Sequence, residues 1–351
     1  MLEVVTRYLA TDFGNPSSGH HYGRAPHEAI VLAREQVAEL LGARPDEIVF
    51  TGGGSEGNTL AITGAVAGRT GHVITQATEH PAVLQTCEAL AAQGVRLTVL
   101  PVDEHGLVRP EDLAAALTSD TLLVSVMHAN NETGTIQPVA ELAALAHEAG
   151  ALLHTDAAQT TGKFPFGVDE LGADLLTVAA HKFGGPKGVG ALYVRTGVEL
   201  RPVILGGGQE RGLRSGTENV AGIAGLGAAA GLATKQPPEV VALRDLLHRL
   251  LVEALGERVV LNGHPERRLP NTLNVSIAGT VGAQLLAATP EIAASTGSAC
   301  HDGSPGSPVL KAMGVSPARA AAAIRLSVGR SNERDEVRRA AEALVAAVKK
   351  S

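Results

Sequence analysis

From residue 26 onward, short apolar runs alternate with segments of helical periodicity, and this alternation constrains the fold more than any other feature. The runs are almost continuously apolar, which is typical of strands buried on both faces of a largely parallel sheet. The pattern therefore predicts an α/β architecture with helices covering the sheet. The predicted strands are 47–51, 72–76, 95–100, 121–127, 151–155, 174–178 and 190–194, and the predicted helices are 26–41, 55–66, 81–93, 111–117 and 139–149.

The chain has 351 residues, which is enough for two domains that each bury a core. A Gly/Ala-rich helical stretch at 220–234 leads to Gln236-Pro237-Pro238, which has the composition of a linker. We predict a large domain over residues 1–234 and a smaller α/β domain over residues 235–351. The smaller domain is predicted to contain a helix at 239–255, strands near 259 and at 273–277, and a terminal helix from Asn332.

Composition argues against several classes of protein. The 29 basic and 36 acidic residues give a net charge of −7 with no basic stripe, so nucleic acid is a poor candidate partner. No apolar run approaches the roughly 20 residues that span a bilayer, and residues 1–22 lack a signal-peptide layout. Two cysteines cannot form a disulfide framework, so we expect a reducing, cytoplasmic location. The 13 histidines show no metal-ligand spacing, and we expect no metal site.

Lys182 follows the apolar run 174–178 and opens a glycine-rich turn that extends to Gly188. Taken alone, a lysine at a strand end is more often solvated and structural. A lysine desolvated at the end of a buried strand, however, has the nucleophilic amine that Schiff-base chemistry requires. Asp156 also ends an apolar run, and such a carboxylate can pair with a pyridinium nitrogen. The two residues together favour a pyridoxal phosphate site.

A second glycine-rich loop, Thr51-Gly52-Gly53-Gly54-Ser55-Glu56-Gly57-Asn58, joins a predicted strand to a predicted helix. Glycines let the backbone approach a phosphate, and a helix N-terminus offers free N–H groups. Gly52, Gly54 and Gly57 also satisfy GxGxxG, with Glu79 downstream, so an NAD-dependent dehydrogenase is the alternative from another class. The His80-Pro81 pair after Glu79 indicates a helix start instead. A plain tight turn is the third interpretation.

Further polar residues each allow a structural and a functional interpretation. His80 is either a helix cap or an aromatic face against a cofactor ring. The Asn130-Asn131-Glu132-Thr133-Gly134 segment is either a turn or a ligand site at the carboxyl end of a strand. The glycine-rich loop 206–219 is either flexible or an anion site. Arg325 lies in an apolar strand pattern and needs a partner, for which a substrate carboxylate is one candidate.

The two cysteines differ in their surroundings. Cys87 has apolar neighbours in a helical pattern, which favours a place in the core. Cys300 lies in a loop of small and polar residues, Ser295 to Pro305, that is unsuited to burying it. An exposed loop thiol is a liability unless it is used, so a reactive role is the favoured interpretation of Cys300.

Together these motifs resemble the cysteine desulfurase and selenocysteine lyase family, which are pyridoxal phosphate enzymes of the class-V aminotransferase type. The resemblance covers nearly the whole chain, from Phe13-Gly14-Asn15-Pro16-Ser17-Ser18 to Arg330, with the motifs in the expected order. It implies a fold-type-I architecture, with a mostly parallel large domain and a smaller C-terminal domain. It also implies a homodimer, L-cysteine or selenocysteine as substrate, and a sulfur-acceptor or iron–sulfur scaffold protein as a partner.

The resemblance also implies roles for individual residues. Lys182 would form the covalent link to the cofactor, and Cys300 would take the sulfur as a persulfide. The remaining implied roles are ring binding by His80, Asp156, Asn131 and Gln159, phosphate binding by Gly54, Ser55, His181 and Thr217 (the last from the neighbouring subunit), and binding of the substrate carboxylate by Asn15 and Arg325.

The sequence departs from the family pattern in several places, two of which bear on the candidate site. Family members usually begin with a strand and an Asn-Ala-Ala-Thr-Thr-type segment before the Gly14-Asn15 motif, so we expect that segment to be missing here. Ala179 stands where a Ser or Thr commonly helps to bind phosphate. The residues around Cys300 combine features of both branches: Gly297-Ser298-Ala299-Cys300 resembles the desulfurases, and the following His301 resembles the lyases. We favour cysteine as the substrate.

Overall fold

The structure is a computed structural model that describes residues 1–233, 239–297 and 306–350. The chain forms two compact units. The first comprises Met1–Leu100, Pro110–His128 and Pro138–Gln236, and the second comprises Pro101–Arg109, Ala129–Gln137 and Pro237–Ser351. Two short segments within the range predicted for the large domain therefore group with the second unit. The predicted linker Gln236-Pro237-Pro238 lies outside the described residues, and a domain boundary at residue 234 stays a prediction.

The first unit is built from alternating strands and helices, as the apolar pattern predicted. Its strands are β1 (Ile48–Thr51), β2 (His72–Gln76), β3 (Arg96–Leu100), β4 (Thr121–Ser125), β5 (Leu152–Asp156), β6 (Leu175–Ala179) and β7 (Gly190–Val194). Its helices are α1 (Leu2–Ala10), α2 (His21–Leu41), α3 (Gly54–Val66), α4 (Pro81–Ala91), α5 (Pro110–Ala116), α6 (Val139–Glu148), α7 (Val168–Leu171) and α8 (Val220–Ala233).

The seven strands form one sheet in the order β1-β7-β6-β5-β4-β2-β3. Strands β2 to β6 are mutually parallel, whereas β7 runs antiparallel to its neighbours β1 and β6. Every residue of β1, β2, β4, β6 and β7 is buried, because helices such as α3 and α6 cover the sheet. The prediction of a mostly parallel α/β sheet is confirmed.

Helix α2 begins earlier than predicted. Pro26 was interpreted as a helix start, but α2 begins at His21 and contains Pro26 in its interior. A proline there cannot bond back to the carbonyl of Tyr22, which would normally disfavour the helix. That carbonyl instead lies against Gly14, where an added Cβ would come within 2.0 Å of the Tyr22 oxygen. Helices α1 and α2 both pack on α8, so tertiary contacts support the early start.

The second unit contains a three-stranded antiparallel sheet in the order β10-β9-β8. Its apolar core consists mainly of side chains from this sheet and from the two long helices α9 and α13. The strands are β8 (Val259–Leu261), β9 (Thr272–Ile277) and β10 (Ala323–Ser327), and the helices are α9 (Glu239–Leu255), α10 (Gly282–Ala287), α11 (Pro308–Ala312), α12 (Pro317–Ala321) and α13 (Arg334–Lys350). Among the described residues, no helix combines the length and apolar character needed to cross a bilayer.

Candidate functional site

The polar residues singled out in the first unit follow strands that end at one edge of the sheet. Strands β2, β5 and β6 are parallel to one another, and β1 is parallel to β6 because both are antiparallel to β7. Carboxyl ends of parallel strands meet at the same edge, where ligands bind in open α/β sheets. This edge carries the segments that contain Gly54 and Ser55, His80, Asp156 and Gln159, and His181 and Lys182.

Asp156 ends β5 with a buried carboxylate that is only 7% exposed. Its Oδ1 accepts a hydrogen bond from the backbone N–H of Ala158 at 2.9 Å. Its Oδ2 accepts one from Asn58 Nδ2 at 2.7 Å. A carboxylate oxygen has two lone pairs, so each oxygen keeps acceptor capacity for a further donor. Asn58 lies in α3, and this helix therefore fixes the orientation of Asp156.

Lys182 lies in a single 3-10 turn, Ala180–Lys182, directly after β6. The side chains of Lys182 and His181 are exposed, whereas Ala180 is buried. The expectation that Lys182 is desolvated is therefore wrong for the packing within this chain. The turn that contains Lys182 follows the buried strand, and the lysine side chain is exposed there. Partial desolvation of its ring and the charges of Lys182 and Lys187 lower the pKa of His181 although the side chain is largely exposed, which favours the neutral imidazole.

The N-terminus of α3 packs against the end of β6. A Cβ added at Gly54 would lie 3.3 Å from Cβ of Ala179, so glycine permits this close approach. Gly53 is the N-cap and has no side chain to satisfy the first N–H groups of the helix. The backbone N–H groups of Gly54 and Ser55 and the exposed Ser55 hydroxyl therefore form a cluster of hydrogen-bond donors next to the Lys182 turn.

The topology contradicts the dehydrogenase alternative. A dinucleotide-binding GxGxxG loop joins a strand to a helix that leads into a parallel, neighbouring strand. Here the strand before the loop, β1, pairs antiparallel with β7, and the strand after α3, β2, pairs with β3 and β4. The carboxyl group of Glu79 is buried and accepts hydrogen bonds from Gln76 and from the backbone N–H of Met127. It is not placed to bind a ribose.

His80 is the N-cap of α4, where its Nδ1 accepts a hydrogen bond from the N–H of Ala82 at 3.1 Å. The helix-cap interpretation of His80 is thus confirmed, and its ring is half-buried. Its neighbour Glu79 is fully buried. Burial, together with the charge of Asp156, raises the pKa of Glu79 to about 8, so this side chain is a neutral acid over much of the physiological pH range.

The glycine-rich loop around Thr217 is held to the sheet by a buried ion pair. Arg34 of α2 donates to both carboxylate oxygens of Glu210, at 2.7 and 2.8 Å, and the N–H of Phe50 donates to Glu210 at 2.9 Å. Glu210 and Arg211 both have positive φ, 47° and 58°, which non-glycine residues adopt at a cost. Thr217 is exposed and lines a cavity together with Thr51 and Gly52.

We predict that Glu210→Gln destabilises the protein by about 3 kcal/mol, because it leaves the guanidinium of Arg34 largely buried without its partner charge. The two side chains are 17% and 3% exposed. The free energy of unfolding in urea measures this cost. The matched control is Glu253→Gln in the exposed pair Arg249–Glu253, 64% and 62% exposed, for which we expect less than about 0.5 kcal/mol. Equal costs for the two variants would contradict the anchoring role of Glu210.

In the second unit, Arg325 lies in β10 between the buried residues Ile324 and Leu326, as predicted. Its half-buried guanidinium donates through Nη1 to the carbonyl oxygen of Asn131 at 2.9 Å. Burial lowers the pKa of Arg325, and the nearby charge of Glu132 opposes that shift. Asn130 makes the turn that the sequence suggested, because its Oδ1 accepts from the N–H groups of Glu132 and Thr133.

The remaining predicted residues have the following places. Asn15 is exposed and its Oδ1 accepts from the N–H of Ser17 at 2.9 Å, so it forms a local turn. Gln159 follows β5 and its Oε1 accepts from Lys163 Nζ at 2.8 Å. Cys87 is buried in the core as predicted, and burial raises its pKa to about 12. Cys300 lies outside the described residues.

Sequence reasoning missed the residues that support these side chains. The sequence pattern predicts no role for Asn58 in the glycine-rich loop, and it indicates Glu79 only as part of a dehydrogenase motif. No sequence signal distinguished Asn58, because other polar residues, Ser55, Glu56 and Thr59, stand beside it in α3. The partner of Asn58, Asp156, is distant in sequence and is identified only by the fold.

Comparison with known proteins agrees with this architecture. The family model of the class-V aminotransferases matches residues 1–340, and the chain belongs to this family. It is 47% identical over 337 residues to "Cysteine desulfurase IscS" of Dictyoglomus turgidum, covering 93% of this chain and 85% of the relative.

Two solved structures are also similar to this chain. A "NifS-like protein" superposes with a TM-score of 0.90 at 37% identity, covering 100% of this chain and 95% of that one. "SspA in complex with cysteine" superposes with a TM-score of 0.84 at 38% identity, covering 93% and 94%. The predicted family resemblance is confirmed.

Proposed function

We propose that this protein is a pyridoxal phosphate-dependent cysteine desulfurase, which converts L-cysteine to L-alanine and captures the sulfur as a persulfide on Cys300. One observation carries the proposal: β5 and β6 are adjacent and parallel, so a buried carboxylate, Asp156, and an exposed amine, Lys182, follow neighbouring strands at one edge of the sheet. The similarity to a cysteine desulfurase and to a protein bound to cysteine supports the choice of substrate.

The side chains at this edge fit pyridoxal phosphate, the cofactor of this family. The N–H groups of Gly54 and Ser55 at the start of α3 offer hydrogen bonds to a phosphate. The carboxylate of Asp156 retains acceptor capacity for a protonated ring nitrogen, and the amine of Lys182 can bond to an aldehyde. Ala179 offers no hydroxyl, so the phosphate contacts come from α3, His181 and Thr217 in our assignment.

When bound, the cofactor supplies an electron sink for the α-carbon of the substrate. Lys182 would hold the cofactor, and its amine, once free, would remove the α-proton of the substrate as a general base. Asp156 keeps the ring nitrogen protonated, and Asn58 holds Asp156 in place. We assign His80 to one face of the ring, and Asn131 and Gln159 to its phenolic oxygen. Arg325 and Asn15 bind the substrate carboxylate in this scheme.

Sulfur transfer requires a thiolate nucleophile. The thiolate of Cys300 attacks the substrate sulfur, so an S–S bond forms while the C–S bond breaks and its electron pair stays with the substrate carbon. That carbon is then protonated, Lys182 returns to the α-carbon the proton that it removed, and alanine leaves. Cys87 cannot replace Cys300, because its thiol is buried and its pKa is raised to about 12. A sulfur-acceptor or iron–sulfur scaffold protein would then take the sulfur from Cys300.

We further propose that the protein acts as a homodimer in a reducing, cytoplasmic compartment. Thr217 is exposed on a loop that a buried ion pair holds in place, so it is available to a neighbouring subunit. A persulfide carrier also requires a compartment in which free thiols persist.

Borohydride reduction tests the proposal. The purified protein should be yellow, and reduction should remove the colour and fix the pyridoxyl group on Lys182, as read from the mass of the peptide that contains it. Lys187→Arg is the matched control in the same exposed turn and should be labelled like the parent, whereas Lys182→Arg should remain unlabelled. A pyridoxyl group on Lys187, or a protein that binds no pyridoxal phosphate, would refute the assignment.

A further inference from the structure

Glu132 is a buried carboxylate, 1% exposed, that contacts two chain segments of the second unit. Its Oε2 accepts a hydrogen bond from the hydroxyl of Ser307. A Cβ added at Gly297 would lie 3.1 Å from the same oxygen, so the Gly297 backbone also packs against it. Gly297 and Ser307 flank the segment 298–305, which contains Cys300 and lies outside the described residues. Residues on both sides of this segment, Gly297 and Ser307, therefore contact Oε2 of Glu132.

The backbone of Glu132 is itself firmly held. Its N–H donates to Asn130 Oδ1 at 2.8 Å, and its carbonyl oxygen accepts from Asn274 Nδ2 at 3.0 Å. Asn274 lies in the middle strand β9 and is fully buried. The carboxylate is thus presented from a rigid turn that is attached to a sheet, and this is the arrangement that a positioning group requires.

Arg325 is attached to the same cluster. It pairs through its backbone with Ser295, whose hydroxyl donates to the carbonyl of Gly297 at 2.8 Å. Its guanidinium donates to the carbonyl of Asn131, the neighbour of Glu132, at 2.9 Å. The charge of Glu132 also favours the protonated form of Arg325. The residue assigned to the substrate carboxylate and the flanks of the Cys300 segment therefore share one support.

We propose that Glu132 is a positioning residue for sulfur transfer. Its carboxylate holds both flanks of the Cys300 segment in a fixed position relative to Arg325. This inference rests on the proposed function, and it adds Glu132 to the residues that support the proposed reaction. Glu132 touches neither of the reacting sulfur atoms in this scheme. Its effect should therefore fall on persulfide formation, and the attachment of the cofactor to Lys182 should be unchanged.

Two serines of the second unit provide a matched test. Ser307 and Ser316 each precede a proline and cap a short helix, accepting from Leu310 N–H at 3.1 Å and Arg319 N–H at 3.4 Å. Ser307 in addition donates to Glu132. Replacement by alanine removes a helix cap in both variants, but the contact with Glu132 is lost only in Ser307→Ala.

In a single turnover with L-cysteine, we expect Ser307→Ala to slow persulfide formation on Cys300 by about 10- to 100-fold, since small misplacements of a reacting group cost up to about 100-fold. The spectral change on cysteine binding should keep its parent midpoint. Ser316→Ala should match the parent, and Ser307→Thr, which keeps a hydroxyl, should restore most of the rate. Equal rates in Ser307→Ala and Ser316→Ala would overturn the proposal.

Amide hydrogen exchange in the cofactor-free protein gives a readout that does not depend on activity. Glu132→Gln and Ser307→Ala should each increase exchange in peptides covering 293–297 and 307–312, because the shared carboxylate contact is weakened. Ser316→Ala should leave these peptides unchanged. A parent protein that forms no persulfide would refute the proposed function, while unchanged exchange in both test variants would refute the positioning role of Glu132.

Discussion

Asp156→Asn should lower kcat/KM for L-cysteine by at least about 1000-fold, equivalent to about 4 kcal/mol of activation free energy. The carboxylate charge is what keeps the cofactor ring nitrogen protonated in the proposed mechanism, and a neutral amide cannot supply it. The variant should fold and bind pyridoxal phosphate, because asparagine has nearly the same volume and can still accept from the N–H of Ala158. The rate of alanine formation and the visible spectrum of the purified protein are the two measurements.

The matched control is Asp174→Asn, a second buried aspartate that immediately precedes β6 at the opposite edge of the same sheet. Asp174 accepts from the N–H of Leu153 and contacts His147 and Arg195, so the variant should lose stability. Its turnover at 25 °C should nevertheless stay near that of the parent. Near-parental turnover in Asp156→Asn, or an equal loss in both variants, would show that Asp156 has been given the wrong role.

Much of the fold of the first unit could be predicted from the sequence. Strands β2 and β7 have the predicted bounds, and every residue in both is buried. Local sequence signals placed Asp156 and the Lys182 turn after neighbouring apolar runs. Two strand-end residues could be associated from sequence, because carboxyl ends of parallel strands share one edge.

Two features of the fold could not be predicted, because tertiary contacts override local preferences. Pro26 is a good first residue for a helix, yet packing on α8 extends α2 back to His21. Segment 129–137 groups with the second unit, since Asn274 Nδ2 donates to the carbonyl of Glu132 and the N–H of Ile136 donates to the carbonyl of Arg267. These hydrogen bonds join residues far apart in the sequence, and no local pattern encodes them.

The supporting residues of the candidate site were the least predictable part. Asn58, Glu79 and Glu132 are buried polar side chains whose partners lie far away in the sequence. Burying such groups is unfavourable unless they are hydrogen-bonded, so each indicates a specific tertiary contact. A sequence shows that such a residue exists but does not identify its partner. Residues that bear reactive groups, such as Lys182, could be proposed from the sequence, because their chemistry is recognisable without a partner.

Cys300→Ser should retain the cofactor colour and bind L-cysteine, yet form no persulfide and release almost no sulfur. A serine hydroxyl is a poor nucleophile toward sulfur, whereas a cysteine thiolate attacks it well. Alanine formation should fall with sulfur release, because the C–S bond breaks as the S–S bond forms. The measurements are alanine production, sulfide release in the presence of a reductant, and the mass of the peptide that contains residue 300.

Cys87→Ser is the control for this prediction. Cys87 is 1% exposed and burial raises its pKa to about 12, so it contributes no thiolate to catalysis. The variant should transfer sulfur at the parent rate and lose about 1–3 kcal/mol of stability, since a hydroxyl replaces a thiol in an apolar site. If Cys300→Ser instead produced alanine and sulfide at the parent rate, the persulfide mechanism would be refuted. The sulfur or selenium would then leave without covalent capture, as the lyase alternative requires.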